Sequence, residues 1–344
     1  MMNNKACDNL FSLVKWLVDN DHLCGFNMAV VTPDEEYVRT YGYRQLVPEK
    51  LPADRNTLYD LASLSKVTST TSCILKLIES GELTLHTPIH QVLPEFANEE
   101  ITVFDCLTHT TGLIDVPEYK KLNDSEFLSA LYNMQPDRKL KGNIFYSDTN
   151  FILLGFVIDR LKGSLKDFAE ETVFRPLGMT HTCYQPEETD NCAATEVTEK
   201  RGVIKGVVHD GKAFRLNGIA GSAGVFSTVD DLILFVRMLM NENDPFFRPE
   251  TREMLRTCFA DKGADRRSLG WIISSDKSSM GIQYSPHTLY HTGFTGGSVL
   301  VDLDNKFALI LLTNRVHPKR DNSSILKFRD VINTLVYDCI REEQ

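Results

Sequence analysis

The sequence predicts a mixed α/β chain, with strands gathered toward its two ends and helices between them. Three observations predict this. Residues 26–32 and 37–43 are apolar, β-branched and aromatic runs on either side of a Pro33-Asp34-Glu35-Glu36 turn. Residues 298–302 and 307–313 repeat that arrangement around Leu303-Asp304-Asn305-Lys306. The intervening chain carries several stretches with apolar residues at helical spacing and no internal repeat or low-complexity linker. At 344 residues with 42% hydrophobic content, the chain is long enough for one large domain or two intimately packed ones with a sizeable core.

The elements follow in order. Residues 10–21 form an amphipathic helix ahead of the first hairpin. The strand-like Thr57-Leu58-Tyr59 leads into a small-residue turn at Ala62-Ser63. A helix follows, with Val67, Ile74, Leu75 and Ile78 on one stripe and Gly81 where a C-terminal cap belongs. Thr102 and Asp105 fit a capping box, and that helix ends at the Thr/Gly turn holding His109, whose expected role is a local hydrogen bond. Residues 149–161 form a helix after the loop Phe145-Tyr146-Ser147-Asp148, with Asp148 placed to cap it. Residues 203–208 look strand-like. The glycines of 218–224 lack the strand-then-helix context of a dinucleotide loop and read as packing positions. A helix over 230–240, a strand over 269–274, the stretch 289–297 with its His-Thr-Gly on a strand or at its end, the second hairpin and a terminal helix over 324–341 complete the chain.

A net charge of −10 with no Lys/Arg-rich run argues against nucleic-acid and anionic-membrane partners. The first residues lack the apolar core of a secretory leader, and the longest apolar run, 307–312, is too short to span a membrane, so a cytoplasmic protein is expected. The eight cysteines are scattered without C-x-x-C pairs and read as buried thiols, and no Cys/His spacing suits a metal. No cofactor is expected, and the oligomeric state is not legible.

The chemistry centres on Ser63-x-x-Lys66. Three-residue spacing places both side chains on one helix face, whereas Ser65 points elsewhere. A hydroxyl needs a neighbour to take its proton before it attacks. Alone, the tetrad is also what a capping serine and a surface lysine would look like.

Two further motifs stand downstream, Tyr146-Ser147-Asp148 and His291-Thr292-Gly293. In this order and at these separations the three resemble the serine β-lactamase and penicillin-binding superfamily, closest to its class C β-lactamase, DD-peptidase and family VIII esterase branch. Leu107-Thr108-His109-Thr110-Thr111-Gly112-Leu113, Pro176-Leu177-Gly178-Met179 and Leu312-Thr313-Asn314-Arg315 extend the resemblance across most of the chain. It implies an antiparallel sheet flanked by helices, built from residues 1–83 and 224–344, a mainly helical subdomain over 84–223, and an active site in the cleft between. It implies Ser63 as acylated nucleophile, Lys66 and Tyr146 as proton carriers, and Asp148, His291, Thr292, Gly293 and Phe294 as substrate-binding or oxyanion residues, with the N–H groups of Ser63 and Phe294 as the oxyanion donors. Two departures matter. Asp148 stands where many relatives have Asn; an ionised carboxylate only accepts hydrogen bonds, and it could form a salt link to Lys66. His291 stands where most β-lactamases have Lys. Both departures point toward an esterase or peptidase acting on small esters or amides. A D-Ala-D-Ala carboxypeptidase, a D-aminopeptidase, a weak β-lactamase and an acylated sensor are the alternatives.

Overall fold

A computed structural model describes residues 2–276 and 279–340. Its centre is an antiparallel sheet of nine strands among the described residues, and it interleaves the two ends of the chain. Gly25–Val31 lies beside Phe307–Thr313, with Phe26 opposite Thr313 and Val31 opposite Ala308. Glu36–Gln45 and Leu51–Pro52 extend one side. Ser298–Asp302, Thr288–Thr292 and three shorter strands extend the other. The predicted sharing of one antiparallel sheet by N- and C-terminal strands is met.

The side-chain alternation of the central strands explains their uninterrupted apolar runs. Phe26, Met28 and Val30 join Phe307, Leu309 and Leu311 on one face, packed against Leu10, Val14 and Leu17 of the Asn4–Asp19 helix and Ile332 near the C-terminus. Ala29 and Val31 join Ala308, Ile310 and Leu312 on the opposite face, with the Val229–Met240 helix and the segment after Ser63. A sheet covered on both faces needs apolar residues at every position, and each fully buried large side chain contributes about 1.5–3 kcal/mol.

Residues 84–223 carry the helices Val103–Thr108, Asp124–Tyr132 and Asp148–Lys162 together with short strands. One of these strands, Cys183–Tyr184, joins Val225–Ser227 and Tyr59–Asp60 in a small sheet directly before Ser63. The first helix begins earlier than expected, at Asn4, and of 269–274 only Ile272–Ile273 is a strand, since Gly270 and Ser274 take left-handed backbone on either side of it. Two further elements of the fold depart from expectation. Of the 203–208 stretch only Val203 is in a strand, Gly202–Val203, paired with Val197–Thr198; past it, Arg201 binds the Val208 and His209 carbonyls that a ladder would need. The terminal helix is broken into Ser324–Lys327, Arg329–Leu335 and Val336–Cys339, with Arg329 drawn to the carbonyls of Gly293, Gly296 and Gly297. Arg341, the last residue of the predicted segment, lies outside the described residues. Among the described residues no helix is long and apolar enough to cross a membrane.

Candidate active site

The Asp60 carboxylate shapes the turn that presents Ser63. It accepts hydrogen bonds from the N–H of Ala62 (2.8 Å) and of His209 (2.7 Å). Ala62 is held at φ +46°, the left-handed region that costs a non-glycine residue about 1–3 kcal/mol, and such strain persists only where the surroundings enforce it. A 3-10 turn over Ala62–Leu64 follows, and then Lys66–Thr71 winds as a π-helix before Ser72–Glu79 becomes α-helical. The sequence pattern showed one helix here and did not reveal the wider turn. Ser65 points inward and accepts from Val225 N–H (3.1 Å).

Lys66 is 0% exposed and lies 5.0 Å from the Tyr146 ring. Its Nζ donates to Ser63 Oγ (3.0 Å), Asp148 Oδ1 (2.7 Å) and the Ser222 carbonyl (2.9 Å), which uses all three of its protons. Burial opposes the charge on Lys66, but the Asp148 carboxylate and the Tyr146 oxygen outweigh it and hold the lysine above its usual pKa. Burial likewise opposes the Asp148 anion, and Lys66 and Lys212 together hold its carboxyl well below the usual range. Asp148 Oδ2 meets Lys212 Nζ at 2.7 Å, and the same ammonium meets Asp115 at 2.7 Å. Both oxygens of Asp148 are therefore engaged by lysines rather than turned to a ligand. The result is an alternating row of charges, Lys66, Asp148, Lys212, Asp115, ending at Ser63.

Asp148 is free for this task because it does not cap its helix. Ser147 is the N-cap, and Asp115 accepts from Ser147 Oγ (3.0 Å) and from the Asp148 N–H (2.9 Å). Asp115 and Lys212 escape sequence reasoning, since they come from a loop and from the short helix Gly211–Arg215, with no spacing that ties them to Asp148. The available signal was chemical: a buried carboxylate in place of an amide calls for a second cation.

Tyr146 is 41% exposed and lines one cavity with Ser63, Asp148, Lys212 and Phe294. Its ring rests on His109, with centroids 4.6 Å apart. His109 is buried and held neutral by burial and by the nearby positive charges of Arg267 and Lys66; its Nδ1 is approached by Asn150 (3.1 Å) and the Ser147 N–H (3.4 Å). His109 thus props the loop that carries Tyr146.

His291 lies one layer below the cavity and is only 2% exposed. Burial, then Lys66 and Arg267, push its imidazole down to about 3, so the ring carries no charge at neutral pH. Its Nδ1 donates to the Thr292 carbonyl (3.1 Å), and Trp271 meets its ring edge to face. Thr292 ends the strand. At Gly293 an added Cβ would lie 2.4 Å from the Leu61 carbonyl, so only glycine lets this strand end pack against the turn before Ser63. That approach brings Phe294 to the cavity, and its N–H enters none of the hydrogen bonds made among the described residues. Gly221 performs the packing expected of it, with its Cα side so close to the Phe151 carbonyl that a Cβ would stand 2.0 Å away. Ser63, Lys66, Tyr146, Asp148 and Phe294 thus meet in one place, while His291 supports from beneath. No group of side chains suited to a metal ion is found among the described residues.

A hydroxyl at a strained turn, a buried ammonium beside it and an N–H just past a strand end opposite define the scaffold of a serine hydrolase. The chain belongs to the Beta-lactamase family, whose profile matches residues 10–332. An Escherichia coli K12 protein provisionally named as a D-alanyl-D-alanine carboxypeptidase is 29% identical over 325 residues, covering 81% of this chain and 74% of that protein. Among solved structures, a class C β-lactamase aligns with TM-score 0.77 at 21% identity over 99% of this chain and 98% of its own. A hydrolase with promiscuous acyltransferase activity aligns with TM-score 0.76 at 21% identity over 96% of this chain and 99% of its own.

Proposed function

We propose that the protein hydrolyses small carboxylic esters or amides through an acyl-enzyme on Ser63. The carrying observation is the Lys66 ammonium, which donates to Ser63 Oγ while its remaining protons are held by Asp148 and Ser222. An ammonium so held cannot take the serine proton, and this leaves Tyr146, in the same cavity, as general base. Ser63 Oγ attacks the carbonyl carbon as its proton passes to the Tyr146 oxygen. The negative charge that develops on the carbonyl oxygen is stabilised by the N–H groups of Ser63 and Phe294. The bond to the leaving group then breaks, and Tyr146 returns the proton to the departing oxygen or nitrogen. A water molecule, deprotonated in the same way, releases the acyl group from Ser63. Acid-quenched protein exposed to an activated ester should carry one acyl group on the Ser63 peptide, and Ser63→Ala should carry none. Full hydrolysis by Ser63→Ala would sink the proposal.

The name of the Escherichia coli relative favours a second reading, cleavage of a terminal D-alanine from a peptide. The neutral His291 tells against it, because it offers no cation to a substrate carboxylate. Release of D-alanine from a D-alanyl-D-alanine peptide faster than hydrolysis of a short ester would reverse that preference. The eight free thiols support residence in a reducing compartment such as the cytoplasm, and thiol titration of denatured, unreduced protein should count all eight.

A further inference from the structure

The Ser63 pocket, about 380 Å³, is the smaller part of a longer cleft. A cavity of about 1200 Å³ adjoins it and shares Tyr119, Lys120, His209, Gly211 and Arg320 with it. A short ester fills only the first, so the second has room for a whole further arm of a substrate. Its wall combines two kinds of surface. Phe214 and Val207 stand 47% and 44% exposed there, an unusual state for large apolar side chains in a concavity. Five Lys and Arg side chains line it against three carboxylates, in a chain whose net charge is −10. The carboxylates are largely spoken for: Asp124 pairs with Arg215 (3.2 Å) and Glu196 with His209 (3.0 Å).

Arg201 and Arg320 have no such partner among the described residues. Arg201 lies 4.0 Å over the Phe214 ring, and among the described residues its guanidinium donates to the carbonyls of Val208 (2.7 Å) and His209 (3.4 Å). Arg320 lies 4.9 Å from the Phe294 ring, at the junction of the two cavities. A guanidinium stacked on an aromatic face with no carboxylate in ion-pair contact is pre-organised for a planar anion.

We propose that this larger cavity is a second subsite that takes an apolar substrate arm ending in a carboxylate, the arm lying along Phe214 and Val207 and the carboxylate bound by Arg201 and Arg320. The inference rests on the reading of Ser63 as the acylated nucleophile. The test compares two esters of equal chain length, p-nitrophenyl octanoate and the mono-p-nitrophenyl ester of octanedioic acid, on the whole protein, with Ser63 acylation followed by intact mass. The dicarboxylate ester should be preferred in kcat/KM by on the order of tenfold, as a charge-assisted pair would give. Arg201→Gln and Arg320→Gln should each cut that preference several-fold, Arg201→Lys should retain part of it, and raised salt should weaken it. Equal kcat/KM for the two esters, or a preference that survives both Gln substitutions, would overturn the subsite while leaving Ser63 acylation intact. Failure of both esters to acylate Ser63 would instead overturn the nucleophile assignment, and the subsite with it.

Discussion

Replacing Asp148 by Asn should destabilise the protein and reverse the effect of pH on the deficit. In the native protein the Asp148 carboxylate touches two ammonium groups, each at 2.7 Å. At an effective dielectric near 20, each contact at that distance is worth about 6 kcal/mol of attraction before desolvation. Lys66 is fully buried and Lys212 nearly so. The amide would leave two cations facing one another, with Lys212 still paired to Asp115 on its far side and Lys66 left without a carboxylate contact. Removing one partner of a buried pair costs about 3–5 kcal/mol, and that is the expected loss in urea unfolding at pH 7. The sign of the pH effect follows from burial. Without the Asp148 anion the largest support of the Lys66 charge is gone, so burial lowers that lysine below its unfolded pKa near 10.4, whereas Asp115 still holds Lys212 charged. The native variant then binds fewer protons than the unfolded chain, so its stability rises with pH and the deficit narrows between pH 7 and 9.5. In the wild-type protein the raised Lys66 contributes stability that is lost only as pH climbs through its elevated folded pKa, so no such gain appears. Asp148→Asn combined with Lys212→Met should recover about 1–3 kcal/mol relative to the sum of the single losses, because one of the two buried, mutually repelling charges is gone. Additive losses within about 0.5 kcal/mol, or a deficit that grows with pH, would refute the picture of one coupled row of charges.

Four more outcomes follow from the same geometry. Lys66→Ala and Tyr146→Phe should each slow single-turnover acylation by orders of magnitude and the double variant little further, since groups acting as a unit are not additive; penalties that sum in free energy would mean separate roles. Ser65→Ala should keep most ester hydrolysis while losing about 1–3 kcal/mol of stability, because it strips the buried Val225 N–H of its acceptor; loss of acylation in a folded variant would move the nucleophile. Gly293→Ala should lower kcat by about 10²-fold through displacement of Phe294 from the Ser63 turn, a loss typical of small misplacements; an unaltered kcat would remove the Phe294 N–H from the mechanism. Turnover of a chromogenic cephalosporin should stay far below the roughly 10²–10³ per second of efficient enzymes, given the uncharged His291 and the occupied Asp148 oxygens.

The sequence exposes those features that rest on local periodicity. The two-faced burial of 307–312 is written in its unbroken apolar run, and the capping box at Thr102 and Asp105 forms as its spacing demands. Ser63 and Lys66 are legible because one helical turn joins them. The link between Asp148 and Lys66 was a chemical expectation from an Asp in an Asn position, and the two meet at 2.7 Å. Lys212 and Asp115 were invisible because their neighbours are 64 and 33 residues away in sequence from Asp148 and no repeat or spacing encodes that closure. The left-handed Ala62 and the π-helix over Lys66–Thr71 were also hidden; at Ala62 the Asp60 carboxylate that accepts its N–H is itself pinned by the His209 N–H, a contact across the chain that no local pattern encodes. His291 shows the converse: its motif was plain in the sequence, but its burial beneath Tyr146 and beside Trp271 depends on the packed layers.

The central claim is that Ser63 carries the acyl group. The most direct measurement is intact and peptide mass analysis of the protein quenched in acid during steady hydrolysis of p-nitrophenyl acetate. One acetyl group should be found, on the peptide containing Ser63, and Ser63→Ala should show neither adduct nor turnover while Ser65→Ala still shows the adduct. Sustained turnover with an unmodified Ser63, or an acetyl group placed on Ser65 instead, would contradict the account.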